Sequence, residues 1–299
     1  MQGVLSSIAP STLRAYSAAE QRFWAFAREV GGPTSWPAPQ DMVLRYLAYL
    51  RALGRAPSTM RGDLAAISFF SKALGFEDPC DCFAARRAVE GWRRLAPPPP
   101  DKRRPITLPI LREITLRTKD ICWSEFEAIL FRAAFSLAFF GALRVGELVC
   151  ASREDTSGRA LQVGDVSWGR GGLTINIRRS KTDQLGRGAS IFLRPAAIAA
   201  VCPVRALEEY LALRPSGPAP LLVHADCSPV SRFQFAAVLR ACLAAAGLPQ
   251  TEFGTHSFRI GAATSASEWG LASSQIQAIG RWRSSAYRTY VRPSRAGRR

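Results

Sequence analysis

The sequence predicts a mainly α-helical chain with a small β-sheet, divided into a helical N-terminal domain and a mixed α/β domain. Three observations carry this prediction. Apolar residues recur at helical spacing through the first 96 residues, with Pro and Gly between the helical segments. β-Branched runs are confined to one stretch, 173–193. A proline-rich segment separates the two patterns, because prolines cannot continue a helix.

The N-terminal domain, residues 1–96, is expected to be a compact bundle of four or five short helices. Ser11 is the candidate N-cap of a helix that begins at Thr12 and ends at Gly31-Gly32-Pro33. The other helices are expected at 41–53, from about 58 to Gly75, and at 83–95.

The predicted linker covers residues 97–105 and carries a basic cluster, Lys102, Arg103 and Arg104. Its prolines make it stiff and extended. The cluster is a candidate DNA-binding element, although short basic runs are also targeting signals and three residues do not decide between the two.

The second domain, residues 106–299, is expected to hold most of the helices and the whole sheet. Strands are predicted at 173–177 and 189–193, with a polar turn containing Ser180-Lys181-Thr182-Asp183 between them. The predicted helices are 109–117, 125–142, 203–213, 231–245, 257–268 and 273–280, with a last one near 284–290.

Composition narrows the function classes. A hydrophobic content of 47% and a charged content of 21% are ordinary for a globular protein and argue against global disorder. A formal charge of +17 points to a polyanionic partner, with nucleic acid ahead of an anionic membrane surface. The most apolar window, 126–143, is interrupted by Glu127 and Arg132 and predicts a buried helix rather than a membrane span. Seven cysteines without a Cys-x-x-Cys pair, and only two histidines, argue against a structural zinc site and for reduced, mostly buried thiols.

A small set of residues can handle a phosphodiester, although each has an ordinary explanation when taken alone. His256 and Arg259 share one face at the start of a helix, where free N–H groups favour an anion. Arg144 follows a long apolar run, so it is either a cation at a helix C-terminus or a semi-buried arginine in need of an anion. Glu147 either orients or neutralises it. Trp282 and Tyr290 are core aromatics in the ordinary interpretation.

Taken in order, Arg144, Lys181, His256, Arg259, Trp282 and Tyr290 resemble the site of the tyrosine recombinases, the phage-integrase-like enzymes. The segment 142–148 is similar to that family's first arginine motif, and 256–259 to its His-x-x-Arg box. The segment 280–290 resembles most the tyrosine region of DIRS-type retrotransposon recombinases. The resemblance implies a SAM-like core-binding domain before the linker and a recombinase catalytic domain after it.

The resemblance also implies a mechanism. Tyr290 would attack a DNA phosphate to form a 3′-phosphotyrosyl link, with His256 as base or hydrogen-bond donor and Lys181 as general acid. Arg144 and Arg259 would stabilise the pentavalent transition state, so that neither a metal ion nor another cofactor is needed. The two domains would close around duplex DNA, and family members assemble as tetramers on two duplexes.

One departure concerns the residue nine positions before the nucleophile, which is usually His or Trp in this family. Counting back from Tyr290 gives Arg281, whereas Trp282 lies eight away. We assign the position to Trp282 with a slip of one residue. Tyr287 is the weaker candidate nucleophile, because it would shorten the spacing further.

Three other functions remain open from the sequence alone. One is a non-catalytic DNA-binding protein derived from a mobile-element recombinase. The second is a type IB topoisomerase with the same chemistry, and the third is an RNA-binding protein, for which no aromatic-rich strand motif is present. No secretory signal is recognisable, so an intracellular location is expected: the nucleus in a eukaryote, or the cytoplasm and nucleoid in a bacterium.

Overall fold

The computed structural model describes residues 2–95, 101–180, 183, 187–217 and 220–292, and the chain divides into two compact units, Met1–Asp101 and Lys102–Arg299. Residues 97–100 of the predicted linker lie outside the described residues, and the domain bounds stay a prediction. The first unit is helical. Its helices are α1 (Gln2–Leu5), α2 (Pro10–Glu29), α3 (Gln40–Ala52), α4 (Pro57–Ala73) and α5 (Phe83–Leu95).

The first long helix begins earlier than expected. Pro10 occupies the first turn and Ala9 stands at the N-cap without a side-chain hydrogen bond, so the predicted cap at Ser11 is wrong. Proline is favoured at this position because its N–H would have no partner there and its φ is already helical. Ser11 therefore lies inside the helix.

Aromatic rings from α2 and α3 form the core of the first unit. The rings of Phe23 and Phe26 lie 5.3 Å from that of Tyr46, measured between centroids. The Tyr46 hydroxyl donates to the buried carboxylate of Asp63 on α4 over 2.8 Å, and Arg22 pairs with the same carboxylate at 2.6 Å. The one buried acid of this core is thus matched by two donors.

The second unit has seven α-helices and three strands among its described residues. The strands are β1 (Val166–Gly169), β2 (Gly172–Ile177) and β3 (Ala189–Leu193). The helices are α6 (Leu108–Ile121), α7 (Glu125–Phe140), α8 (Val145–Leu148), α9 (Pro203–Leu213), α10 (Arg232–Ala245), α11 (Ser257–Glu268) and α12 (Ser273–Gly280). Short 3₁₀ turns lie at Val163–Asp165, Ala199–Val201, Gln250–Glu252 and Ser285–Thr289. The predicted fold class, mainly helical with a small sheet, is confirmed.

The sheet is antiparallel in the order β1-β2-β3, with Leu173 opposite both Trp168 and Leu193. Strand β1 was not predicted, because its four residues are too few for a clear periodic signal. The predicted last helix is instead the 3₁₀ turn Ser285–Thr289.

Helix α7 forms the centre of the second core. It ends two residues before Ala142, the predicted end, and its aromatic face meets α10 and α11: Phe135 lies 5.2 Å from Phe235 and 5.6 Å from Phe258. None of the helices in the described part of the chain is long and apolar enough to cross a bilayer. The C-terminal end of helix α7 leads into the turn 141–143, which is followed by the candidate site residue Arg144.

The segment after the linker is tied to the start of α11. The Ile106 N–H donates to the Ser257 carbonyl over 3.0 Å, and a Cβ on Gly261 would lie only 1.8 Å from the Ile106 carbonyl oxygen. Only glycine permits this approach. The backbone beside His256 is therefore held from both sides, by its own helix and by residues more than a hundred positions away.

Candidate active site

Arg144 stands between two helices, where the chain leaves α7 and enters the short helix α8. Its backbone N–H donates to Glu147 Oε2 and its Nη1 to Glu147 Oε1, each over 2.9 Å. The helix-C-terminus explanation of Arg144 is wrong, because the residue is the N-cap of α8 and not part of the last turn of α7. Glu147 is buried, so its carboxylate both orients and partly neutralises Arg144.

Arg259 is the largest fully buried side chain of the described residues, at 0% exposure. Its guanidinium donates to two main-chain carbonyls, Ala142 through Nη1 and Gly280 through Nη2, the latter over 3.0 Å. Burial, together with the positive charges of Arg144 and Arg281, lowers the pKa of Arg259 to about 10. At neutral pH the group remains protonated, so the site keeps a cation that is shielded from water.

Aromatic rings lie against this cation. Trp282 and Tyr290 have their ring centroids 4.9 and 5.6 Å from the Arg259 guanidinium carbon. The Tyr290 ring lies 4.8 Å from Trp282 and 5.0 Å from His256, which immediately precedes α11. The cation–π contacts explain how so polar a group is accommodated among rings. They also bring four of the six predicted site residues into one cluster.

The backbone at Tyr290 is tied to α11. Thr264 on that helix donates from its hydroxyl to the Tyr290 carbonyl over 3.3 Å, and the same hydroxyl accepts from the Arg292 N–H over 3.1 Å. Tyr290 directly follows the 3₁₀ turn Ser285–Thr289. Its ring is therefore positioned by main-chain contacts on one side and by His256 and Trp282 on the other.

Arg281 enters the site beside Trp282, which the sequence did not predict. It ends α12 in the left-handed conformation, at φ +56°, and its Nη2 meets Glu147 Oε2 at 2.8 Å while its Nη1 donates to the Gly141 carbonyl over 3.2 Å. Burial lowers the pKa of Arg281, with the negative charge of Glu147 acting in the opposite direction. No sequence signal marks this conformation, because αL positions favour Gly and Asn, not Arg.

Tyr287, the weaker candidate nucleophile, is engaged elsewhere. Its ring is buried with Ala263 and Ile276, and its hydroxyl donates to Ser273 Oγ over 2.7 Å. A buried tyrosine with its hydroxyl bonded to a neighbouring helix is explained by packing alone. The geometry favours Tyr290.

Lys181 lies outside the described residues. Of the turn that holds it, the structure describes Ser180 and Asp183. The Asp183 N–H donates to the Ser180 carbonyl over 3.1 Å, and the Asp183 carboxylate accepts from the N–H groups of Arg187 and Gly188 over 3.1 and 2.7 Å. The assignment of Lys181 stays a prediction.

The basic cluster Lys102, Arg103 and Arg104 precedes α6. Lys102 is exposed, whereas Arg104 pairs with Glu252 at 3.0 Å and also bonds to it through the backbone. Arg103 is exposed as well. DNA binding by Lys102, Arg103 and Arg104 stays a prediction.

The charge of the site follows from its members. We call Arg144, Glu147, Arg259 and Arg281 the arginine hub. Three guanidinium groups against one carboxylate leave two positive charges, in surroundings where Coulomb interactions are stronger than in water. A phosphodiester carries one negative charge and its pentavalent transition state two, so the hub matches the transition state better than the ground state. No cluster of three metal-binding side chains occurs among residues the structure describes.

Comparison with known proteins gives a relative in sequence and relatives in fold. No family model matches the chain. An integrase/recombinase XerD homologue from Selenomonas ruminantium is 28% identical over 277 residues, which span 88% of this chain and 75% of that relative.

Two solved structures share the fold at low sequence identity. The XerH site-specific recombinase in its post-cleavage complex with a palindromic difH substrate has a TM-score of 0.66 at 15% identity, covering 95% of this chain and 76% of that one. A lambda integrase tetramer bound to a Holliday junction has a TM-score of 0.61 at 17% identity, covering 95% and 72%. None of these three bears on the closer likeness to DIRS-type elements, which stays a prediction. The chain is therefore similar in sequence to an integrase/recombinase XerD homologue and similar in fold to the XerH recombinase and lambda integrase.

Proposed function

We propose that this protein is a site-specific DNA recombinase that cleaves and rejoins DNA through a 3′-phosphotyrosyl intermediate without a metal ion. One observation carries the proposal: the Tyr290 ring lies between His256 and Trp282 and above the buried guanidinium of Arg259. A tyrosine held beside a buried cation and a histidine is arranged to meet a phosphate.

The covalent step belongs to Tyr290. Its phenolic oxygen forms a bond to the scissile phosphorus, and the bond to the 5′-oxygen breaks, so one phosphodiester replaces another and rejoining reverses the step. A free tyrosine has a pKa near 10 and needs help to lose its proton at neutral pH. The role of base or hydrogen-bond donor is assigned to His256, whose ring centroid lies 5.0 Å from that of Tyr290.

Charge stabilisation belongs to the arginine hub. Arg144 is only partly buried, at 24% side-chain exposure, so its guanidinium can reach a phosphate from the position that Glu147 gives it. Arg259 acts from beneath the rings, where the absence of water strengthens its field. Removal of one such preorganised donor costs on the order of a hundredfold in rate or more.

Protonation of the leaving 5′-oxygen is assigned to Lys181 on the family resemblance. The partner we propose is duplex DNA. With its net charge of +17, the protein would bind the duplex mainly through its phosphates. Self-association as a tetramer on DNA is proposed by analogy with the lambda integrase tetramer. The proposed location is the nucleus in a eukaryote, or the cytoplasm and nucleoid in a bacterium.

Covalent capture tests the proposal and does not require a defined target sequence. A pool of duplexes with a random central sequence carries nicks at staggered positions, so that cleavage beside a nick releases a short fragment and traps the adduct. The full-length protein should yield SDS-resistant adducts, and the recovered DNA should converge on one sequence.

The matched variant is Tyr290→Phe, which keeps the ring and removes the nucleophile. Adducts absent in the wild type, or present at equal yield in Tyr290→Phe, would overturn the proposal. Salt-sensitive binding without adduct would identify a non-catalytic DNA-binding protein. Adducts without sequence convergence, together with relaxation of supercoiled DNA, would identify a topoisomerase.

A further inference from the structure

The second candidate for the position before the nucleophile, Arg281, is in the site together with Trp282. Adjacent residues of a regular helix point about 100° apart, so both would not normally face one cluster. The left-handed backbone at Arg281 changes the direction of the chain between them. Trp282 thereby reaches Tyr290, and Arg281 reaches Glu147.

The Arg281 guanidinium donates hydrogen bonds to acceptors in the segment 141–147. It joins the Gly141 carbonyl and Glu147 Oε2, and its side chain is only 14% exposed. Glu147 in turn accepts from the backbone and the guanidinium of Arg144. Arg281 and Arg144 are thus linked through one carboxylate, although 137 positions separate them in the sequence.

We infer that Arg281 is a positioning residue for strand transfer: through Glu147 and the Gly141 carbonyl it holds Arg144 and the 141–143 turn, and Arg144 rather than Arg281 meets the phosphate. This inference rests on the proposed function and deepens it. Without Arg281, the buried carboxylate keeps Arg144 as its one cationic partner in the hub, and the net charge of the hub falls from two to one. Arg144 is then held more closely by Glu147 and is less available to a phosphate.

The geometry also predicts how replacements differ. Lysine has one ammonium and cannot serve Glu147 and the Gly141 carbonyl with the planar fork of arginine. Arg281→Lys therefore retains the charge and loses one contact, and Arg281→Gly removes the side chain while suiting the left-handed backbone. Loss of activity in Arg281→Gly cannot be ascribed to backbone strain.

The experiment measures the rate of single-turnover adduct formation by the full-length protein at saturating DNA. The substrate is the duplex recovered by covalent capture. We expect DNA affinity to change less than threefold in Arg281→Lys, the adduct rate to fall about tenfold, and Arg281→Gly to lose on the order of a hundredfold in rate. Arg281→Gly added to Glu147→Gln should cost less than it costs in the wild type, because the shared contact is already gone. Additive losses, or a wild-type rate in Arg281→Lys, would overturn the inference.

A double-mutant cycle with Arg144 distinguishes positioning from direct contact. Because Arg281 acts through Arg144 in this inference, Arg281→Gly should cost little further rate in a protein that already carries Arg144→Gly. If Arg281→Gly costs as much in Arg144→Gly as it costs in the wild type, Arg281 acts independently of Arg144 and the inference fails. A wild-type protein that forms no adduct overturns the proposed function itself, and that outcome is distinct from these.

Discussion

Gly280 and the indole of Trp282 are packed so closely that a methyl group at Gly280 would lie 2.0 Å from the ring. The same glycine offers its carbonyl to Arg259 over 3.0 Å. A small residue before Arg281 is therefore a condition for two contacts of the site, the stacking of Trp282 on Arg259 and the anchoring of Arg259 itself.

Gly280→Ala should displace the Trp282 ring and slow adduct formation at least tenfold, with a loss of about 1–3 kcal/mol in the free energy of unfolding from overpacking. Gly91→Ala is the matched control, since Gly91 lies in helix α5 with open space around the added methyl group. That variant should be neutral or more stable, because alanine is the better helix former. Single-turnover rates and thermal melts of both proteins check the prediction, and equal behaviour of the two would contradict it.

Arg259→Lys should reduce the adduct rate by on the order of a hundredfold or more. Lysine keeps the charge but cannot donate to the carbonyls of Ala142 and Gly280 with the same planar fork, nor stack as well between rings. Arg240→Lys, an exposed position on α10, is the control. Kinetics on captured substrate give the comparison, and a wild-type rate in Arg259→Lys would show that charge alone suffices.

Tyr287→Phe should form adducts at close to the wild-type rate. It loses only the hydrogen bond to Ser273, which contributes about 1 kcal/mol to stability. Peptide mapping of the trapped adduct should find the DNA on Tyr290 in both proteins. Attachment to Tyr287, or loss of adduct in Tyr287→Phe alone, would reverse the assignment of the nucleophile.

Adduct formation should be insensitive to chelators. The proposed chemistry uses guanidinium groups where other phosphoryl-transfer sites use divalent cations. Rates measured in excess EDTA and in added Mg²⁺ should agree within twofold after correction for ionic strength. A rate that vanishes in EDTA and returns with Mg²⁺ would mean that the hub is incomplete without a metal ion.

His224 should contribute a pH-dependent stability that is independent of the site. Its Nδ1 lies 2.9 Å from the buried carboxylate of Glu127, and this hydrogen bond raises the pKa of His224 above its usual 6.5. A raised pKa in the folded state stabilises the protein fully below the unfolded pKa, and the contribution is lost as pH rises through the folded value. The difference in Tm between the wild type and His224→Gln should therefore be larger at pH 6 than at pH 9. A difference that does not depend on pH would contradict the assignment.

Much of the fold could be predicted because local signals and tertiary packing agree. Helices α5, α9, α11 and α12 and strand β3 begin and end where the pattern places them. The end of a helix was harder to predict. Helix α7 ends before Gly141, and Ala142, the predicted last residue, has a left-handed backbone at φ +42°. Strand β1 was not predicted because four residues are too few for a clear periodic signal.

The order of the site residues along the chain could be predicted, but the contacts between them could not. Spacing from Tyr290 offered one position to either Arg281 or Trp282, and it could not show that both residues would enter the site. The entry of both residues depends on the left-handed backbone conformation of Arg281, which an arginine in the sequence does not indicate. The second partner of Glu147 was hidden for the same reason, since 134 positions separate the two residues.

The 141–143 turn takes part in the site through main-chain oxygen atoms, those of Gly141 and Ala142. A carbonyl is the same group whatever side chain stands beside it. Changes of residue type in this turn would therefore leave its acceptors in place as long as the path of the chain is kept. In distant relatives the equivalence of this turn should be judged by backbone conformation, since residue identity there records little of what the turn does.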